Sequence, residues 1–272
     1  MKYSYFLLPL IACIIACGNK GATVAQQTEA STDEPLELTL DTLRFRKQTK
    51  EMEVTLTVDF PRSGPVLLVS AIEELISESL GGTYEGPMDS GKQMLGFYGK
   101  EQIDTLRSVY RGFDFPDPPA LYYGVNIRKE HETTQYITFG TQHEDFLGGA
   151  HGMHTFFGTT IRKSDGRRFG WDMLRNTESE GFRELLKNGV KQYFQEMDID
   201  VSTDELLSEQ LSSEMVPSYL PLPQAAPYLT ARGVTFVYQP YEIAPYAVGM
   251  PAFTIGFKEI RPYLTVTAQR LL

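Results

Sequence analysis

His151 and His154 stand three residues apart behind the glycine pair Gly148 and Gly149, and His143 lies eight residues upstream of His151. Neutral imidazoles ligate zinc or act as general bases, so the spacing asks whether chemistry sits here. On a helix, residues 151 and 154 would share a face. Gly148, Gly149 and Gly152 instead favour a loop or the start of a strand, where the two side chains would point to opposite faces. The pattern therefore predicts no metal site. Its glycines are expected to make backbone angles or close approaches that other residues cannot. His151 is expected to bond a neighbouring carbonyl through one ring nitrogen.

Other candidate chemistry is weaker. His131 opens HETTQ, where Gln135 replaces the second histidine of a zinc-protease motif, and Thr133, Thr134, Tyr136, Ile137 and Phe139 favour a strand over the helix that motif requires. No GxSxG elbow, GxxxxGK[ST] phosphate loop or GxGxxG turn occurs. Glu144 and Asp145, beside the glycines, are two carboxylates that would flank a sugar only if their separation suited a glycosidase. The segment YQPYEIAPY has two readings. Tyr238, Tyr241, Tyr246 and Glu242 form an aromatic, acidic surface that stacks on sugar rings or receives a basic protein. Alternatively, Pro240 and Pro245 fix a turn, the tyrosines fill the core edge, and Glu242 accepts backbone hydrogen bonds. Trp171 reads as a packing anchor.

These residues must be positioned by the rest of the chain. The sequence opens MKYSYFLLPLIACIIACGNK, with Lys2, an apolar run from Phe6 to Ile15, and small residues around Cys17. That is the order of a secretory signal with a core too short to span a bilayer, so residues 1–16 are expected to be removed. Residues 18–35 contain no aromatic residue and only Val24 as a branched apolar one, so residues 17–35 are expected to be a flexible tether with a reach of roughly 20–25 Å. Cys13 and Cys17 are the only cysteines. The exported part therefore has no internal disulfide, and its stability must come from burial, roughly 70–75% of the unfolded surface for a chain of this length. The formal charge of −10, with no basic run, argues against nucleic acid and against charge-driven binding to anionic lipid.

LELTLDTLRF and EMEVTLTVDF alternate as half-buried strands do. Leu68, Ile72, Leu75, Ile76 and Leu80 then recur at helical spacing up to Gly81 and Gly82. A second helix is expected from about Lys92 to Tyr110, and a proline-rich irregular loop follows it. YYGVNIRKE and QYITFGTQ read as strands, and HTFFGTTIRKSDGRRFGW as a hairpin turning near Asp165 and Gly166. Helices are expected over about 179–194 and 203–211, then a proline-stiffened crossing, then the strands GVTFVYQ and PAFTIGF. Strands and helices cluster without βαβ alternation. The prediction is α+β, an antiparallel sheet packed with helices, its two halves forming one compact domain.

Ile14, Ile15, Ala16 and Cys17 resemble the lipobox of bacterial lipoproteins, which implies lipidation of Cys17 and a membrane tether. Gly148, Gly149, Ala150 and His151, with Tyr241, Glu242, Ile243, Ala244, Pro245, Tyr246 and Gly249, resemble domain-of-unknown-function family 3298. In the lysozyme-sensing anti-sigma protein RsiV and the peptidoglycan deacetylase PdaC that family is joined to a family 4163 half. The resemblance divides the mature chain into a 4163-like half, 36–115, and a 3298-like, RsiV-like half, 120–272. It implies an extracytoplasmic α+β domain with an antiparallel sheet and does not imply catalysis, because the deacetylase activity belongs to a separate domain for which this sequence has no expected room. The resulting expectation is a lipid-anchored cell-envelope binding module, at the outer membrane if the source is Gram-negative, without cofactor. Its partners would be a peptidoglycan fragment or a lysozyme-like protein, and its binding residues Gly148, Gly149, His151, Tyr241, Glu242 and Tyr246. The alternative is an envelope hydrolase acting on glycan through a cleft near His151, Glu144 or Asp145.

Overall fold

The computed structural model describes residues 37–114 and 117–272. The expected leader, Cys17, the 17–35 tether and Pro116 lie outside them. A five-stranded sheet in the order β1-β2-β3-β4-β5 is built from β1 (Thr39–Gln48), β2 (Met52–Ser63), β3 (Leu121–Glu132), β4 (Tyr136–Phe146) and β5 (Met153–Arg162). In β2, Met52, Val54, Leu56 and Val58 are buried while Glu53, Thr55 and Thr57 point the other way. This period of two gives the sheet one apolar and one polar face.

The apolar face is covered by α1 (Val66–Leu80) and α2 (Gly91–Arg111). Leu68, Ile72, Leu75, Ile76 and Leu80 of α1 pack with Met94, Leu95, Tyr98 and Leu106 of α2 over the strands. The α1 helix stops where Gly81 and Gly82 take positive φ and their N–H groups bond the carbonyls of Glu78 and Ser77. β2 and β3 run parallel, joined by the long crossover that carries both helices, whereas every other neighbouring pair in both sheets is antiparallel. The expected all-antiparallel pairing misses this one join. Past the last parallel pair, the Asp59 carboxylate accepts from Thr42 Oγ1 (2.7 Å), Arg128 Nε (3.0 Å) and Lys129 N (3.0 Å). Burial would push this carboxyl up, but those three donors together hold it below the usual range. Asp59 thus extends the β2–β3 seam where β3 is bulged near Lys129.

The second half packs a separate core. Helix α3 (Glu180–Glu196), capped by Ser179 Oγ accepting from Phe182 N, buries Phe182, Leu186, Val190 and Phe194. They meet Phe236, Phe253 and Ile255 of a three-stranded sheet, β6 (Tyr228–Leu229), β7 (Gly233–Val237) and β8 (Ala252–Gly256). Helix α4 (Asp204–Gln210) and the short helices α5 (Phe257–Ile260) and α6 (Val266–Gln269) complete it. The expected hairpin after β5 is only half formed: beyond the turn near Asp165, the return arm makes a single bridge, Ile161 to Arg168. The fold class is α+β, as predicted.

The halves join across the polar face of β4 and β5. Leu229 N donates to Thr160 Oγ1 (2.8 Å) and Thr138 Oγ1 donates to Leu229 O (2.8 Å). Thr138 has thereby used its one proton, so the 2.7 Å contact between the two hydroxyls must carry the proton of Thr160. The closed ring leaves no polar atom of Leu229 unpaired in a buried join. Between Phe156 and Thr160, Gly158 lets the ring of Tyr228 lie on the strand, where an added Cβ would come within 2.2 Å of it. Burial, then the charge of Glu130, pushes the Tyr228 hydroxyl up to about 12.

Candidate functional site

The glycine-rich stretch is the connection from β4 to β5. Gly148 (φ +95°) and Gly149 (φ +107°) occupy backbone conformations that L side chains rarely adopt, and Gly148 also lies against the ring of Phe113. At Gly152 a Cβ would sit 2.4 Å from the carbonyl of Asp145. Angles and close approaches both account for the glycines, as the sequence predicts.

This bend delivers His151 to the surface. Its Nδ1 lies 2.8 Å from Gly152 O, and since a carbonyl only accepts, Nδ1 carries the proton. In the neutral ring Nε2 then accepts from the Tyr241 hydroxyl at 3.2 Å. The imidazole stacks on Tyr246, centroids 3.9 Å apart at 16°, and the Tyr246 hydroxyl donates to the same Gly152 carbonyl at 2.7 Å. Tyr241 and Tyr246 lie 5.5 Å apart at 31°. His151, Tyr246 and Tyr241 make a continuous aromatic platform, with Tyr241 55% exposed.

The opposite side of the platform is held by a tight turn after β7. Glu242 N donates to Gln239 O (3.1 Å), and Tyr241, third in that turn, has φ +68°. Glycine or asparagine is usual at such a position; a tyrosine there carries about 1–2 kcal/mol of backbone strain. The Glu242 carboxylate accepts from Gln239 N (2.8 Å) and Gln224 N (2.6 Å), fastening the turn to the proline-stiffened crossing. Gln239 in turn pairs its carboxamide with both backbone groups of Phe156 on the edge strand β5, at 3.3 and 2.8 Å. This segment is divided between the core edge and the surface. Glu242 accepts backbone bonds and Tyr238 is buried, its hydroxyl donating to Pro221 O (2.7 Å) and pushed up by burial, whereas Tyr241 and Tyr246 form the surface.

The three histidines do not converge. His154 pairs with Glu144, Nδ1 to Oε1 at 3.2 Å, on the polar face. His143 lies on the helix-covered face beside Phe157, and burial holds its imidazole below the usual range. Among the described residues no three metal-binding side chains gather. Glu144 and Asp145, adjacent in β4, also point to opposite faces, so the two carboxylates do not flank one sugar. On the helix side, burial raises the Asp145 carboxyl. His131 sits in β3, a strand as predicted, and Trp171 donates to Ala225 O and packs 5.6 Å from Phe236.

Residues 177–258 match the family model described as "Protein of unknown function (DUF3298)". The chain contains a DUF3298 domain. No curated protein matches the sequence. The crystal structure of a DUF3298 family member from Bacteroides fragilis NCTC 9343 is similar in fold, with TM-score 0.71 and 18% identity, covering 86% of this chain and 96% of that one. A DUF3298 family protein from Pseudomonas aeruginosa PAO1 aligns with TM-score 0.58 and 16% identity over 87% of this chain and 97% of that one. At these identities the likeness concerns the fold.

The match to the DUF3298 model includes Tyr241, Glu242 and Tyr246 but not Gly148, Gly149 or His151, so the platform draws on residues inside and outside it. Two contributors escaped the sequence reading. Gln239 substitutes for a strand at the β5 edge, and Tyr122, 40% exposed, leans its hydroxyl toward Gly152 and stacks on Phe146 at 6.1 Å. Alternation within β3 puts Tyr122 on the polar face; nothing local in sequence ties it to a loop thirty residues on.

Proposed function

We propose that the chain is a lipid-anchored, extracytoplasmic binding module with no catalytic centre, and that its ligand is a cell-envelope glycan such as a peptidoglycan fragment. The observation that carries this reading is the platform of Tyr241, Tyr246 and His151. A large aromatic ring is held exposed on a strained turn that glycine would occupy at lower cost, and strain of this kind collects at binding sites. Flat ring faces bordered by hydrogen-bonding groups suit a sugar, which presents both C–H faces and hydroxyls. The two carboxylates nearest the glycine bend face opposite sides of β4, and Glu144 is engaged by His154 and Gln142, which favours binding over hydrolysis.

Purified sacculi should retain the full chain, and soluble muropeptides should compete it off. Tyr246→Ala removes the ring under His151 and is expected to weaken retention tenfold or more with the far-UV circular dichroism unchanged. Equal retention of the two proteins would remove the platform from the account. The acidic balance, −10 over the whole sequence, also suits a basic protein of lysozyme type. Such binding would weaken steeply with salt, whereas stacking on a neutral glycan would not.

Anchoring rests on the apolar leader and on Ala16 before Cys17. Cys17→Ser is expected to move the protein from the membrane fraction to the soluble one; persistence of the variant in the membrane fraction would count against the lipid.

A further inference from the structure

We infer that the polar face of the five-stranded sheet holds a second subsite, a groove floored by Gly124 that takes one neutral sugar ring of a glycan already seated on the platform. This inference rests on the glycan reading above. On that face Gly124 lies between Tyr122 and Asn126 along β3, with Thr55 across on β2 and Glu144 across on β4. The missing side chain leaves a groove of about 240 Å³ lined by Thr55, Thr57, Asn126, Gln142 and Glu144 around the glycine. Pockets for drug-sized ligands run to roughly 300–1,000 Å³, so this one suits a single ring.

The lining chemistry identifies the ligand. Two hydroxyls and two carboxamides supply mixed donors and acceptors, the complement of a polyol, and the Thr57 and Asn126 side chains make no hydrogen bond within the described residues. The one charged group, Glu144, is a carboxylate, which disfavours an anion, and its Oε1 already receives Gln142 Nε2 and lies 3.2 Å from His154 Nδ1. An extended peptide is disfavoured for a separate reason. It would bind by adding to a free strand edge, but β2, β3 and β4 are interior strands, each paired on both sides.

Position ties the groove to the platform. Tyr122 stands two residues from Gly124 on the same face, about 6.6 Å along the strand. A Cβ at Gly152 would lie 2.6 Å from the Tyr122 hydroxyl oxygen, and the Gly152 carbonyl receives both His151 and Tyr246. Gly124, Tyr122 and the platform of His151, Tyr246 and Tyr241 thus form one row, linked through Gly152. A glycan of several units would lie along it.

Gly124 itself provides the test. Its φ is not positive, and an added Cβ meets only Glu144 O at 3.8 Å and Thr55 O at 3.9 Å, ordinary contacts. Valine at an interior strand position fills the groove without backbone strain and should leave the melting temperature equal or higher. Calorimetric titrations of the full chain with β-1,4-linked N-acetylglucosamine dimer and pentamer would read the result. Wild type is expected to bind the pentamer at least tenfold tighter than the dimer. Gly124→Val should bring the pentamer down to the dimer's affinity, and Tyr241→Ala should weaken both. Thr57→Val combined with Asn126→Ala, which removes the polar groups without filling the groove, should give the same selective loss if the valine variant misfolds. Length preference retained in both variants, or absent from wild type, overturns the groove and leaves the platform standing. Failure of wild type to bind either oligomer overturns the platform and the groove with it.

Discussion

Tyr241→Gly is expected to melt above Tyr241→Ala by about 2–4 °C while both lose at least tenfold in glycan affinity. Ordinarily the order is the reverse, because glycine has more chain entropy to lose and costs about 0.5–1 kcal/mol relative to alanine. At φ +68° an alanine keeps the steric conflict of the left-handed region, worth about 1–2 kcal/mol, and a glycine does not. The net advantage of glycine is then about 1 kcal/mol, and in a domain of this size each kcal/mol moves the melting temperature by about 2–4 °C. The tyrosine ring supplies the exposed face of the platform and the hydroxyl that reaches His151, so its loss removes binding whichever small residue replaces it. Thermal unfolding with parallel titration of the two variants checks this. An alanine variant more stable than the glycine one would show that the turn is not strained, and a glycine variant that binds like wild type would show that the ring is idle.

Gly158→Val should lower the melting temperature by about 6–12 °C, corresponding to a loss of about 3 kcal/mol. The valine would drive its Cβ into the Tyr228 ring at 2.2 Å, and overpacking of this kind typically costs about 1–3 kcal/mol, with a branched side chain at the upper end. Tyr228 cannot step aside cheaply, because the adjoining Leu229 is locked to Thr138 and Thr160. The damage should extend to the platform, since Gln239 holds its turn to Phe156, two residues from Gly158. Scanning calorimetry and platform binding measured together test the coupling; a melting temperature within about 2 °C of wild type would mean that β6 yields without resistance.

Much of the architecture follows from local pattern. The helix over residues 66–80 is written in Leu68, Ile72, Leu75, Ile76 and Leu80 and ended by two glycines; the strands from 39 to 63 and from 121 to 146 are written in their alternation. These are short-range signals, set by periods of 3.6 and 2, and they survive any arrangement of the elements. The parallel join of β2 to β3 is not of that kind, because alternation reads the same in either direction.

For the site the division is similar. The residue types themselves declared that Gly148 and Gly149 bend the chain, that His151 bonds a carbonyl, and that Glu242 and the tyrosines share one segment. Which tyrosine faces solvent was undecided, because Tyr238 and Tyr241 differ only in how the turn between them rotates: one hydroxyl reaches Pro221 in the core and the other reaches His151. The meeting of residue 151 with residues 241 and 246, and the groove that Gly124 leaves beside Tyr122, depended on the three-dimensional fold alone. Contacts across ninety residues of chain leave no periodic trace in either partner; they exist because the second half docks its Tyr228, Leu229 and Gln239 on β4 and β5, and only that docking brings the two loops together.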